Sequence, residues 1–277
     1  MSGIAEEWRA GCREALIVDD SRLAGRAAIF DLDGTLLHPD SVVDGFQVSG
    51  RRRCSYLATS TVNALRRLSL RFSIVLATAR SWDASRAVLS YLEENGVPLF
   101  AHILEDGGIV SRDGSLLRVG QPWNQEELRR VVIRSRAQLP PFELQSDYSS
   151  CLVARTSSPA EAKLLWKGLR QLIDSGWPEV RGYTDGSKLF LLVNVIDKWA
   201  ALSRLLGRSA TSAVGIGDGV NDICWLSQVS VPCTFTNAPP RVRQTVIDRY
   251  GMISRESGHK GCVELIERLE SHDHITA

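Results

Sequence analysis

Two carboxylates with one residue between them, Asp31 and Asp33, stand at the end of the apolar run Ala27-Ala28-Ile29-Phe30. In extended backbone, residues two apart point the same way. Both acids therefore aim into one small space beyond a buried strand, where ligands bind in open α/β sheets. Gly34 then lets the chain turn away sharply. Taken alone, the stretch also reads as a strand followed by an Asp-Gly turn. An EF-hand loop would open on the same acids, but Leu36 stands where that loop needs glycine.

A second acidic cluster, Gly217-Asp218-Gly219-Val220-Asn221-Asp222, also follows an apolar run and opens a helix. A dinucleotide fingerprint beginning at Gly215 fails, because Val220 occupies its last glycine position. Asp218 and Asp222 are expected to face the crevice of Asp31 and Asp33. Four carboxylates share a small site only if some take protons or a cation joins them. Hard oxygen ligands with room for water and phosphate suit Mg²⁺.

Thr78 ends a strand, and its hydroxyl with the following backbone N–H, that of Ala79, suits a phosphate oxygen. A Thr there is also an ordinary β residue or helix cap. Lys198 stands near the start of a helix, an electrostatically poor place for a cation; that favours a role in the site over simple pairing with Asp197. Lys188, at a strand start, is the residue of the middle part singled out for substrate contact, a solvated strand end being the plainer reading.

The elements that position these residues alternate. Strands are expected over 26–30, 72–76, 99–104, 213–216 and 231–235, and helices over 60–70, 81–94, 197–206, 220–227 and 263–269. Strands alternating with helices predict a parallel, doubly wound α/β sheet. Between them, a hairpin around Asp113-Gly114, helices over 124–139 and 159–173, and strands over 151–154, 180–183 and 189–193 read as an inserted α+β module. The expected division is an N-terminal arm over 1–25, a core over 26–84 and 187–277, and an insert over 85–186. The stretch from His38 to Ser55, with Arg51-Arg52-Arg53, reads as a polar link.

The 277 residues carry a net charge of +1, with 44% hydrophobic and 23% charged residues, so no charge excess points to nucleic acid. No apolar run approaches the ~20 residues that span a membrane. The six cysteines are scattered with no C-x-x-C pair, which fits reduced thiols in a cytoplasmic protein. A monomer or homodimer acting on a small molecule is expected.

The set Asp31-Leu-Asp33-Gly-Thr35, Thr78, Lys198 and Gly217-Asp218-Gly-Val-Asn221-Asp222, in this order, resembles the haloacid dehalogenase superfamily of aspartate-nucleophile phosphohydrolases. An insert between the Thr and Lys motifs resembles the type 2 cap, subtype B, of the Cof-like, sucrose-phosphate, trehalose-phosphate and mannosyl-3-phosphoglycerate phosphatases. Glu105-Asp-Gly-Gly, Lys198-Trp-Ala-Ala-Leu and Thr236-Asn237-Ala238-Pro239 are similar to stretches of that subgroup. The resemblance covers about residues 26–270; the arm, the Arg-containing link and Trp199 (where glycine is frequent) depart from it.

It implies a Rossmann-like core and a mechanism. Asp31 is the nucleophile and Asp33 the general acid and base. Thr78 and Lys198 grip the phosphoryl group. Mg²⁺ is held by Asp31, the backbone carbonyl of Asp33 and Asp218, with Asp222 a ligand or its neighbour. Asn221 holds the metal loop in shape, and Arg80 touches substrate or partners the cap. The expected reaction is hydrolysis of a small phosphate ester, a sugar phosphate first. The alternatives are phosphoryl transfer to a sugar on the same scaffold and hydrolysis of a natural-product intermediate.

Overall fold

A computed structural model describes residues 26–39, 44–49, 54–119 and 125–276, with side chains as far as Ser271. The expected N-terminal arm and Arg51-Arg52-Arg53 lie outside the described residues. In chain order the strands are β1 (Arg26–Phe30), β2 (Gly45–Ser49), β3 (Cys54–Ala58), β4 (Phe72–Ala77), β5 (Leu99–Leu104), β6 (Ile109–Arg112), β7 (Ser115–Arg118), β8 (Glu143–Leu144), β9 (Leu152–Arg155), β10 (Val180–Asp185), β11 (Lys188–Val193), β12 (Val214–Ile216), β13 (Val231–Thr234) and β14 (Met252–Ile253).

One sheet has the order β14-β13-β12-β1-β4-β5-β6-β7, parallel from β14 to β5 and antiparallel beyond. β1 is buried on both faces, which is why its run is continuously apolar. Ala28 and Phe30 face the helices Thr59–Leu68, Trp82–Glu94 and Gly258–Thr276. Ala27 and Ile29 face the helices Lys198–Leu206, Ile223–Leu226 and Pro240–Asp248. Helices on both sides of a mostly parallel sheet make this a doubly wound α/β fold. Asp31 and Thr78 leave the neighbouring strands β1 and β4 at the same end.

A second sheet, β10-β11-β9-β8, is antiparallel throughout. Its Leu152, Ala154, Leu189 and Leu191 pack against the helices Gln125–Arg134 and Pro159–Gly176. The opposite face, with Val153 and Phe190, packs towards Tyr148 and towards Ala79 beyond β4. This sheet, with its helices on the outer side, is the second layered unit of the chain, here called the cap.

Three sequence expectations are corrected. The bounds of the insert misplace two segments: residues 99–118, inside the 85–186 bounds, extend the central sheet as β5, β6 and β7, whereas Lys188–Val193, outside those bounds although its strand reads with the inserted module, joins the second sheet. Both segments are short apolar strands, and strand character does not reveal which sheet a strand joins. Second, the polar link contains the β2–β3 hairpin. β2 alternates, with Phe46 and Val48 turned inward between exposed Gly45, Gln47 and Ser49, but two apolar positions make too short a pattern to mark a strand; Leu57 and Ala58 of β3 are buried, and Phe46 stacks on Tyr91 with centroids 4.2 Å apart. Third, the helix expected over 220–227 is split into a 3₁₀ turn at Val220–Asp222 and a single α-turn at Ile223–Leu226.

His102 on β5 is 8% exposed and neither ring nitrogen has a hydrogen-bond partner. Burial holds its pKa down, from 6.5 to about 4. The unfolded chain therefore binds this proton first as the pH falls. Stability should drop between pH 6.5 and 4 by about 3 kcal/mol from this group alone. Denaturation at the two pH values, compared between wild type and His102→Phe, isolates the contribution; equal pH slopes in both proteins would contradict it.

Candidate active site

Lys198 is the centre of the site. Asp197 caps its helix, the side chain accepting from the Ala200 N–H at 2.7 Å, and so fixes Lys198 as the first helical residue. A buried cation at a helix start is unfavourable, and two acids offset it. Nζ donates to Asp31 Oδ1 at 2.6 Å and to Asp222 Oδ1 at 2.7 Å, and all three side chains are almost fully buried. Burial works to lower the lysine pKa, but Asp222, Asp31 and Asp106 together raise it well above its usual value.

Asp222 is fixed from two further sides. Trp225 Nε1 donates to its Oδ1 at 3.1 Å, and the Gly219 N–H donates to Oδ2 at 2.9 Å. Asp218 accepts from the Thr35 hydroxyl at 3.1 Å. Gly34 has φ +83°, and a Cβ there would lie 2.1 Å from Asp218 Oδ2, so only glycine lets the two acidic loops meet. Oxygen atoms of Asp31, Asp218 and Asp222 all lie within 4.8 Å of one another.

The electrostatics of this cluster are unbalanced. Burial pushes Asp31 well above the carboxylate range; Lys198 pulls it back, and Asp222 and Asp218 push it up again. Asp218 is raised to about 7, by burial first and then by Asp222. One ammonium does not neutralise three crowded acids. The donor set is all oxygen and short of positive charge, which fits a hard divalent cation such as Mg²⁺.

Asp33 stands apart from that cluster. It is half-exposed, and Arg80 clamps it with Nε to Oδ2 and Nη2 to Oδ1, both at 2.7 Å. Its pKa is lowered: burial works upward, and the two-pronged Arg80 contact outweighs it. Arg80 also donates to the Ala84 carbonyl at 3.1 Å, so its partners lie outside the cap. Thr78 is buried, and its Oγ accepts from the Arg80 N–H at 3.1 Å. Thus Asp31, Lys198, Asp218 and Asp222 are brought into direct contact or close approach, with Asp33 and Arg80 paired beside them. Lys188 lies across a cleft of about 830 Å³ that Asp33 and Arg80 also line.

Sequence reasoning passed over Glu105 and Asp106 as site residues. Both are non-glycine residues with positive φ, 52° and 56°, in the turn after β5. Asp106 accepts from Asn221 Nδ2 at 3.2 Å and pairs with Arg181 of β10 at 3.5 Å, so it ties the Asp218–Asp222 loop to the cap. Burial raises its pKa to about 6 against the pull of Lys198, Arg181 and Asn221. The signal in the sequence was Glu105-Asp-Gly-Gly, in which Gly107 is packed so tightly that a Cβ would lie 2.1 Å from the Asp197 carbonyl oxygen.

Glu105 reaches into the cap. It accepts from the Ser150 N–H and hydroxyl at 2.6 Å each and from the Ser149 N–H at 3.0 Å. Glu105→Ala strands these donors, and the expected loss is about 2–4 kcal/mol by chemical denaturation. A change below about 1 kcal/mol would mean that water replaces the carboxylate freely.

No family model matches the chain. A curated relative, the phosphoglycolate phosphatase of Methanoculleus marisnigri, is 25% identical over 237 residues, covering 82% of this chain and 93% of the relative. A solved haloacid dehalogenase-like hydrolase from Bacteroides thetaiotaomicron is 17% identical, with a TM-score of 0.67 over 88% of this chain and 99% of that one. The chain has the haloacid dehalogenase fold. A subclass IIB sugar phosphatase of that superfamily aligns with a TM-score of 0.65 at 14% identity, covering 88% of this chain and 99% of its own. A protein from Thermoplasma acidophilum gives 0.65 at 15% identity over 90% and 97%. In this haloacid dehalogenase fold the four sequence motifs fall at the strand ends and helix starts described above, on one side of the central sheet.

Proposed function

We propose that the protein is a Mg²⁺-dependent phosphatase that hydrolyses a small phosphate monoester, a sugar phosphate among the candidates, through an aspartyl-phosphate on Asp31. The observation that carries this reading is the contact of Lys198 with both Asp31 and Asp222 beside Asp218. The superfamily fold and the curated phosphatase relative support it.

Mg²⁺, held by Asp31, Asp218 and Asp222 with the Asp33 backbone carbonyl, would supply positive charge that keeps the acids ionised and draws charge from the phosphoryl oxygens. A carboxylate oxygen of Asp31 attacks phosphorus, and the P–O bond to the leaving alcohol breaks. Asp33 gives that alkoxide its proton, then takes a proton from the water that attacks the acyl phosphate, and Asp31 is regenerated with release of phosphate. Lys198 and Thr78 hold the phosphoryl oxygens in place, a positioning role of the kind that dominates phosphoryl transfer. Arg80 keeps Asp33 ionised, which suits the base half of the cycle. For the acid half Asp33 must carry a proton, and a phosphate dianion in the cleft offers Arg80 a competing partner.

Chelation tests the metal requirement. EDTA should reduce phosphate release to background and excess Mg²⁺ should restore it, with a matching rise in melting temperature. Full turnover in chelator would remove the cation from the mechanism.

A further inference from the structure

The side chains of a strand alternate between its faces. On β9 Val153 and Arg155 share one face, with Cys151 just before the strand packed beside Val153, and on β11 Lys188, Phe190 and Leu192 share one face. The apolar members of both sets form the cap surface that packs towards Ala79 of the core. Arg155 and Lys188 therefore stand at one edge of this face, in a row with Glu143 and Asp185, and both line the 830 Å³ cleft shared with Asp33 and Arg80.

The two cations are direct neighbours, since Lys188 stands opposite Arg155 in the antiparallel register. Like charges directly opposite each other destabilise a sheet. Among the described residues neither forms an ion pair, although Glu143 stands opposite Arg155 on its other side and Asp185 opposite Lys188 across the hairpin. The Arg155 Nε is buried with no hydrogen-bond partner, a state that calls for an explanation. Lys188 is 5.8 Å from the centre of the Phe190 ring. Of the acids in the lining, Asp33 is taken by Arg80, and Asp147 accepts from Ser81 at 2.7 Å. Asp83 also lines the cleft, as does Asp185 beside Lys188, but among the described residues neither forms an ion pair with Arg155 or Lys188, so two adjacent cations stand on the cap wall, across the cleft from Asp33, with no acid bonded to them.

We propose that Arg155 and Lys188 bind a second anionic group of the substrate, so that the preferred ester carries a carboxylate or another phosphate on its leaving-group side. This rests on the phosphatase reading above. A planar guanidinium with a free Nε accepts a carboxylate or phosphate in two-pronged fashion, and the neighbouring ammonium adds a point charge. An anion between them would also relieve their mutual repulsion. A neutral leaving group would leave both cations unpaired.

The test compares kcat/KM for three esters of similar size: 2-phosphoglycolate, a bisphosphorylated glycerol, and glycerol 1-phosphate. At least one doubly anionic ester should exceed glycerol 1-phosphate by tenfold or more, mainly through KM, and which one leads distinguishes a carboxylate from a phosphate. R155Q and K188Q should each lower that ratio at least fivefold, and R155K should recover part of it. Equal kcat/KM on all three esters in the wild type, or a uniform loss on all three in R155Q, would overturn the proposal. If no ester is hydrolysed the phosphatase reading fails. Calorimetric titration of the same three esters into the wild-type protein then still decides the anion preference, and equal affinities would overturn it.

Discussion

Asp31→Asn should abolish phosphate release while leaving the fold intact. An amide oxygen is a poor nucleophile, and the acyl-phosphate equivalent would not form. Removal of a covalent nucleophile costs on the order of 10⁴-fold or more in turnover in enzymes of this kind. The fold should survive, because Asn keeps the size of the side chain and an oxygen that can still accept from Lys198 Nζ, now 2.6 Å from Asp31 Oδ1. It also removes one charge from a cluster in which Asp222 and Asp218 already push the Asp31 carboxyl upward. Phosphate release measured in excess Mg²⁺, with circular dichroism as the control for folding, checks this. Activity above about 1% of wild type would reject Asp31 as the nucleophile.

Lys198→Met should damage stability as well as catalysis. The ammonium is fully buried and bridges two buried acids. Methionine fills much of the volume but leaves Asp31 and Asp222 facing each other with no cation between them. Breaking a buried ion pair by removing one partner costs about 3–5 kcal/mol. Turnover should fall on the order of 10²–10³-fold, the usual loss when one donor to a developing negative charge is removed. Urea denaturation without metal reads the first effect, and phosphate release in Mg²⁺ reads the second. A variant as stable as wild type in chelator would show that the two acids do not depend on Lys198, and the electrostatic description of the site would fail with it.

Much of this site is legible because several of its residues violate a local rule, Thr78 being an exception. Acids end a buried strand at Asp31 and Asp33, a cation opens a helix at Lys198, and glycines crowd the turn at 217–219. Such misfits are visible in one dimension. Sheet membership is not: β5, β6 and β7 and the cap strand β11 have the same apolar character, and only packing reveals which sheet each joins. The β2–β3 hairpin is hard to read in the sequence because each strand is five residues long, and β2 offers only Phe46 and Val48 as inward apolar positions within a stretch dominated by Gly, Ser and Arg. Asp106 was missed for another reason. Its partners, Asn221 and Arg181, are 115 and 75 residues away in the chain, and an Asp in an Asp-Gly turn looks ordinary until those partners are in place.

The stereochemistry of transfer at phosphorus is the most direct test of the central claim. With an isotopically chiral phosphate or thiophosphate ester turned over in labelled water, a covalent intermediate on Asp31 requires two in-line displacements and therefore retention of configuration. Inversion would mean that water attacks the ester directly, and Asp31 would then be a metal or base residue rather than the nucleophile.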